Sequence, residues 1–296
     1  MKIFDCFMYF DEDILLEIRL NILDKYIDYF IIVESKYTHS GKSKPLKFDI
    51  KKYENFKNKI IYLVHDESPL GVKKINNNDN EGEKSKKFIN NAYLRENSQR
   101  NFILKGLDGA NKEDLILISD LDEIPDLTKV DLKNSKEKII LFEQNMFYYK
   151  FNLMSANLWV GSKCCKKKFL KSPQWLRDVK GRKYSPFRID LILSDNKYIN
   201  VKLIKNGGWH FTNLKKPSEI REKLSSYLHH REFDVNPLSS KDIEKIINKR
   251  KTVYDLGVDK KINKFGEGKD LIKVDTTFLP NFINKNKDKY KEWFDQ

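Results

Sequence analysis

Apolar and polar positions along this chain switch between two periods, and the switches mark out its elements. Ile3 to Tyr9 is a short, mostly apolar run that predicts a strand, and Asp13 to Leu23 repeats apolar residues at helical spacing, with Ile14, Leu15, Ile18 and Leu23 on one side. Tyr29 to Val33, Ile60 to Val64 and Leu115 to Ile118 predict further strands, with a helix over Ser85 to Lys105. Strands alternating with helices over the first 125 residues predict a parallel, Rossmann-like sheet. Gly71 to Lys87, rich in Asn, Lys, Glu and Gly, reads as a surface loop or lid.

The second half is less regular. Lys138 to Gln144 and Asn145 to Phe151 predict two strands, the later one aromatic-rich, and Asn157 to Tyr184 reads as polar and irregular. Tyr198 to Ile204 is another predicted strand. Gly207 and Gly208 then form a turn, Trp209 to Thr212 resumes extended chain, and Ser218 caps a helix running to Leu228. A last helix is predicted over Ser240 to Tyr254, followed by irregular chain. No internal repeat divides the sequence, so one domain spanning 1–296 is expected.

Composition changes this picture little. With 296 residues the chain can bury a large core without disulfides, and its three cysteines, Cys6, Cys164 and Cys165, suggest neither a secreted disulfide framework nor a Cys/His zinc site. A reducing, cytoplasmic location is expected. No signal peptide and no transmembrane segment are predicted, because no apolar run approaches the length a span requires. The net charge of +14 invites a nucleic-acid reading, but the excess is Lys scattered among Asn and Ile along the whole length, so no nucleic-acid partner is expected.

Chemistry concentrates at Leu115 to Pro125, LILISDLDEIP, where an apolar strand runs into Asp120, Asp122 and Glu123. Open α/β sheets bind ligands where their strands end. Asp120 and Asp122 are two apart, so in extended chain both side chains point to one side and reach one hard cation such as Mn²⁺ or Mg²⁺. The alternative is an acidic turn that caps a helix starting near Leu127.

Three other segments bear on that choice. The loop Val33 to Lys42 leaves the second strand at the same sheet edge, with Gly41 permitting a tight path. Arg95 to Asn101, on the helix before the acidic strand, carries Arg95 and Arg100, which either face water or reach toward a base or phosphate. Gly207 to Thr212 carries His210, either a metal ligand or a packed core histidine beside Trp209.

Taken in order, the stretch FDCFMYFDEDILLEIRLNILDKYIDYFIIVESKYTHSGKSKPLKF, then RENSQRN, ISDLDEIP, GGWHFTNL, KLSSYLHHREFD and the tail LPNFINKNKDKYKEWF resemble glycosyltransferase family 17. That family includes the β-1,4-mannosyl-glycoprotein 4-β-N-acetylglucosaminyltransferase. The resemblance implies a GT-A type fold, an α/β arrangement with a Rossmann-like mixed sheet flanked by helices. It further implies a UDP-sugar donor, with UDP-GlcNAc favoured, a glycan acceptor and inversion at the anomeric carbon.

On that resemblance Asp120 and Asp122 match the Asp-x-Asp element that binds a divalent ion bridging the donor diphosphate. Glu34, Thr38 and His39 match a donor-side Glu-Ser-x-x-Thr-His segment, Arg100 matches the arginine of the preceding helix, and His210 is the candidate for a C-terminal metal or diphosphate contact. Residues 1–125 then form the nucleotide-sugar half, 126–235 the acceptor side and 236–296 a helical extension. A chain opening directly on the first strand resembles bacterial or viral members. The family's spacing after Lys223 falls on His229 by one count and on His230 with Glu232 by another.

Inversion in one displacement also needs a group to accept the acceptor's proton. Asp178, Asp190 and Glu232 are the candidates, lying downstream of the acidic motif, and Asp190 is set in the apolar run FRIDLIL, where an acid needs a reason to be. Two other functions compete. A nucleotidyltransferase shares the sheet and the acids but is expected to carry a Gly-rich, Lys-containing signature near the first strand, where this chain has FDCFMYFDED. A non-enzymatic carbohydrate- or RNA-binding module accounts for the aromatic and Lys content but not for acids clustered at a strand end.

Overall fold

The computed structural model describes residues 1–182, 184–185, 194–254 and 265–296. The first half follows the periodicity closely: β1 (Ile3–Tyr9), α1 (Asp13–Leu23), β2 (Tyr29–Ser35), β3 (Ile60–His65), α2 (Glu81–Asn101) and β4 (Leu115–Ile118). After a turn come β5 (Glu123–Pro125), β6 (Ile139–Tyr148), β7 (Leu153–Lys166), α3 (Pro173–Asp178), β8 (Val201–Ile204) and β9 (Gly208–Thr212). The chain closes with α4 (Pro217–Ser226), α5 (His230–Val235), α6 (Ser240–Asn248), β10 (Leu271–Lys273) and α7 (Asn281–Lys285).

Among the described residues, one mixed sheet of ten strands runs β3-β2-β1-β4-β7-β6-β9-β5, with β10 beside β7 and β8 beside β6. β1 to β4 are parallel to one another, β7 runs antiparallel to both β4 and β6, and β5 runs antiparallel to β9. The helix-flanked, Rossmann-like mixed sheet expected of a GT-A type fold is therefore present. Because strand side chains alternate, the parallel strands feed two cores. Ile3, Phe7, Leu115 and Leu117 pack with α1 on one face, and Phe4, Cys6, Ile116 and Ile118 pack with Ile103, Leu107 and Leu176 on the other. A third core joins β6 and β7 to α4, α5 and α6.

Several expectations need correction. The two strands predicted over Lys138 to Phe151 are one strand, β6, whose register against β7 shifts between Leu141 and Glu143 and again between Asn145 and Phe147. Bulges of this kind break the simple alternation. The stretch predicted irregular from Asn157 holds most of β7 and all of α3; polar Ser162 and Lys163 are buried in β7, bonded across the sheet and to neighbouring carbonyls. α2 begins at Glu81, inside the predicted loop, because Asn80 and Glu83 form a reciprocal capping box. α4 starts at Pro217 with Lys216 as its N-cap, so Ser218 lies inside the helix. α6 ends at Asn248, followed by Arg250 at φ 51. The last 60 residues also supply a strand, β10.

Candidate active site

The acidic segment is a tight turn, not extended chain. The Glu123 amide donates to the Asp120 carbonyl at 3.0 Å, and the chain reverses from β4 into β5. A buried ion pair anchors this turn from below: Arg19 of α1 forms a two-point bridge to Asp5 of β1 at 2.6 and 2.7 Å. Its remaining nitrogen donates to the carbonyl oxygens of Glu123, Asp120 and Leu121, at 2.6, 3.2 and 3.3 Å. The helix cap considered above falls to Asp126, which accepts from Thr128 at the start of a single 3-10 turn.

The turn sends its acids in different directions. Asp120 meets Arg100 of α2 at 3.0 Å through one oxygen and Arg177 of α3 at 2.9 Å through the other. Arg177 also grips Glu123 at 2.7 and 3.0 Å, while Trp159 of β7 donates to the same carboxylate at 2.6 Å. Gly161 makes room for that carboxylate, since a Cβ there would lie 2.5 Å from its carbon. Burial acts to raise the Asp120 carboxyl's pKa, but Arg177 and Arg100 outweigh it and hold the group below the usual carboxylate range. Burial likewise acts to lower the Arg177 guanidinium, and Asp120 and Glu123 hold it up.

Asp122 points elsewhere. Its two oxygens lie 3.6 Å from His210 Nε2 and 3.5 Å from Lys223 Nζ, beyond good hydrogen-bond length. Burial would raise its pKa; Lys223 and His210 together bring it well below the usual range. β5 and β9 set this contact, because their register places Glu123 opposite His210 and the Phe211 amide donates to the Asp122 carbonyl at 2.9 Å. His210 Nδ1 is buried with no hydrogen-bond partner among the described residues.

An open cleft lies in front of Asp120 and Asp122. Phe10 and Glu12 after β1, Tyr37, Thr38 and His39 after β2, Gln99 and Arg100 of α2, and Lys223 and Tyr227 also line it. Five of the residues singled out from the sequence therefore meet there: Thr38, His39, Arg100, Asp120 and Asp122. Glu34 is buried beneath the wall, where its carboxylate accepts from Lys44 Nζ, the Lys47 and Phe48 amides and Tyr62, at 2.6 to 3.0 Å, and so shapes the loop. His210 sits behind Asp122.

Among the described residues, the remaining candidates are not part of the cleft's lining. Asp178 is exposed at the end of α3 and accepts from Gln174, which also bonds Arg100. Glu232 contacts His229 Nδ1 at 3.0 Å, and Asp190 lies outside the described residues. His230 is buried edge-on to Phe88, with Nδ1 3.0 Å from the Tyr227 carbonyl oxygen. Sequence reasoning did not place Arg19, Arg177, Gln99 or Lys163. Lys163 donates to the carbonyls of Arg177 and Val179 at the end of α3, and burial, with help from Arg177, pushes its amine down to about 7.

Among the described residues, no group of three His, Cys, Asp or Glu side chains is placed to hold a metal ion. The oxygens of Asp120 are already taken by arginines, whereas those of Asp122 face only long contacts. That chemistry suits a Mg²⁺- or Mn²⁺-type ion that takes one or two carboxylates from the protein and the rest of its shell from phosphates and water.

A Rossmann-like sheet with a cleft at the carboxyl ends of its parallel strands, lined in part by acids and cations, defines an α/β protein with a cleft at the ligand-binding edge of its sheet. The family model for glycosyltransferase family 17 matches residues 1–294, and the chain belongs to that family. It is accordingly a glycosyltransferase, with a sugar donor and an acceptor. No curated protein matches it. Among solved structures it is similar to HddC from Yersinia pseudotuberculosis, at 10% identity over 70% of this chain and 92% of that one, with a TM-score of 0.32. It is also similar to the inositol-1-phosphate CTP transferase from T. maritima, at 10% identity over 81% and 98%, with a TM-score of 0.34. No described helix is long and apolar enough to cross a membrane.

Proposed function

We propose that this glycosyltransferase moves a sugar, GlcNAc in first place, from a UDP-linked donor to a hydroxyl of a glycan acceptor with inversion at the anomeric carbon. The observation that carries the reading is Asp122: a carboxylate lining the cleft, with its oxygens 3.5 Å from Lys223 Nζ and 3.6 Å from His210 Nε2. A Mn²⁺ or Mg²⁺ ion held at Asp122, with Asp120 and His210 as the adjoining candidate ligands, would supply a Lewis acid to the donor diphosphate.

The chain's own groups account for the rest. Lys223, whose ammonium Asp122 helps keep protonated against burial, lines the same cleft and would meet the charge that builds on the departing diphosphate. At about 4 Å one unit pair contributes roughly 4 kcal/mol at an effective dielectric near 20. Thr38, His39 and Arg100 would hold the nucleotide, and Glu34 would act indirectly by fixing the loop from Lys44 to Phe48. Asp178, Asp190 and Glu232 remain the proposed acceptors of the hydroxyl's proton. The three free, buried cysteines support a cytoplasmic setting.

Incubation with UDP-GlcNAc and Mn²⁺, with and without candidate glycans, tests this reading by the release of UDP. No release from any UDP-sugar under any acceptor would overturn it. Asp178→Asn, Asp190→Asn and Glu232→Gln separate the base candidates: loss of transfer with donor affinity retained identifies the base.

A further inference from the structure

Gln99 joins a backbone carbonyl to an imidazole at one wall of the cleft. Its Nε2 lies 3.1 Å from the Val33 carbonyl oxygen, and its Oε1 lies 3.0 Å from Nε2 of His39. A carbonyl oxygen only accepts, so the amide must turn its NH₂ to Val33; the reversed amide would set two acceptors against each other. Oε1 is then an acceptor facing His39, and Nε2 of His39 must carry the proton. In the neutral ring this leaves Nδ1 with a free lone pair. Gln99 is itself 5% exposed, so the relay is held within the wall and is not a surface accident.

We propose that His39 Nδ1 accepts the N3–H of a uracil base, and that the Val33–Gln99–His39 relay thereby selects uridine over cytidine donors. Uracil carries a hydrogen on N3, whereas cytosine carries a lone pair there. An acceptor held against that lone pair leaves two buried polar atoms unpaired, and a site built around a hydrogen bond rejects ligands that lack it. Tyr37, 40% exposed, lines the same cleft and offers a flat apolar face for a base, beside Phe10, whose ring has Lys44 Nζ 5.2 Å from its centre. The inference rests on the UDP-donor reading above and adds the atoms that read the base. Gln99 is a positioning residue, acting only through the tautomer it imposes.

Calorimetric titration of the full chain, with Mn²⁺ present, against UDP, CDP and N3-methyl-UDP tests it. The wild type is expected to prefer UDP to both of the others by about tenfold or more, the worth of one such hydrogen bond. In His39→Ala the preferences should fall to within about twofold. Nitrogen-15 spectra of the wild-type histidines should show His39 protonated at Nε2, and Gln99→Met should turn this into a mixture of tautomers and reduce the UDP-to-CDP ratio. An Nδ1–H tautomer in the wild type, or the full UDP preference surviving in His39→Ala, would overturn the inference and leave the UDP-donor reading standing. A wild type that binds no UDP would remove both.

Discussion

Asp120 gives both carboxylate oxygens to arginines at 2.9 and 3.0 Å, whereas Asp122, two residues on, keeps Lys223 and His210 at 3.5 and 3.6 Å. On the Asp120 side the charges form a closed set: Glu96 and Asp120 share Arg100, and Asp120 and Glu123 share Arg177. On the Asp122 side one acid faces a lysine and a histidine across longer gaps. The contrast divides the acidic motif by task. One half fixes the turn's geometry, and the other presents a carboxylate in looser contacts at the cleft.

Breaking the closed side should cost the most stability. Arg177→Met leaves buried Glu123 without its charged partner and should destabilise the fold by about 3–5 kcal/mol. Urea unfolding reads this directly, and a loss under about 1 kcal/mol would mean that the pair is incidental. Asp122→Asn should do the reverse. Metal-dependent UDP release should drop about a hundredfold or more, on the order of 3 kcal/mol in the barrier, while stability falls less than in Arg177→Met because Lys223 stays 23% exposed. Unchanged turnover would remove Asp122 from the mechanism.

Gly161→Ala probes the same division more gently. Its methyl group would press on the Glu123 carboxylate, and a loss of about 1–3 kcal/mol is expected, with donor affinity weakened only through the shifted turn. The smallest effect concerns Lys163 behind Arg177. Its amine sits at about 7 in the folded chain and near its ordinary higher value when unfolded, so above pH 7 the unfolded state binds more protons and stability rises with pH. Wild type should gain about 1 kcal/mol relative to Lys163→Met between pH 7 and 8. A flat difference across that range would show that the amine does not titrate there.

The parallel half of the fold was legible because its strands are apolar on both faces and its helices carry clear periodicity. β7 was not, since Asn157, Ser162 and Lys163 read as loop residues until the ladder and the carbonyls that satisfy them are known. The acids at the end of β4 were visible as a cluster. Their division was not, because it depends on Arg177 and Lys223, which lie far along the chain and carry no local signal. Arg19 had one. Asp5 stands in the apolar run of β1, and an acid there requires a buried partner, the same argument that drew attention to Asp190.

The pairing of β5 with β9 has a consequence for how the protein comes into being. Asp122 stands just before β5, yet its neighbours His210 and Lys223 arrive only after nearly a hundred further residues have been laid down. Closing so long a loop is slow compared with forming the local βα units at the amino end. During synthesis the amino-terminal strands can associate early, while the cleft stays incomplete until β9 and α4 dock. A nascent or truncated chain that stops before residue 208 would lack His210 and Lys223, so the surroundings of Asp122 are complete only once β9 and α4 have docked.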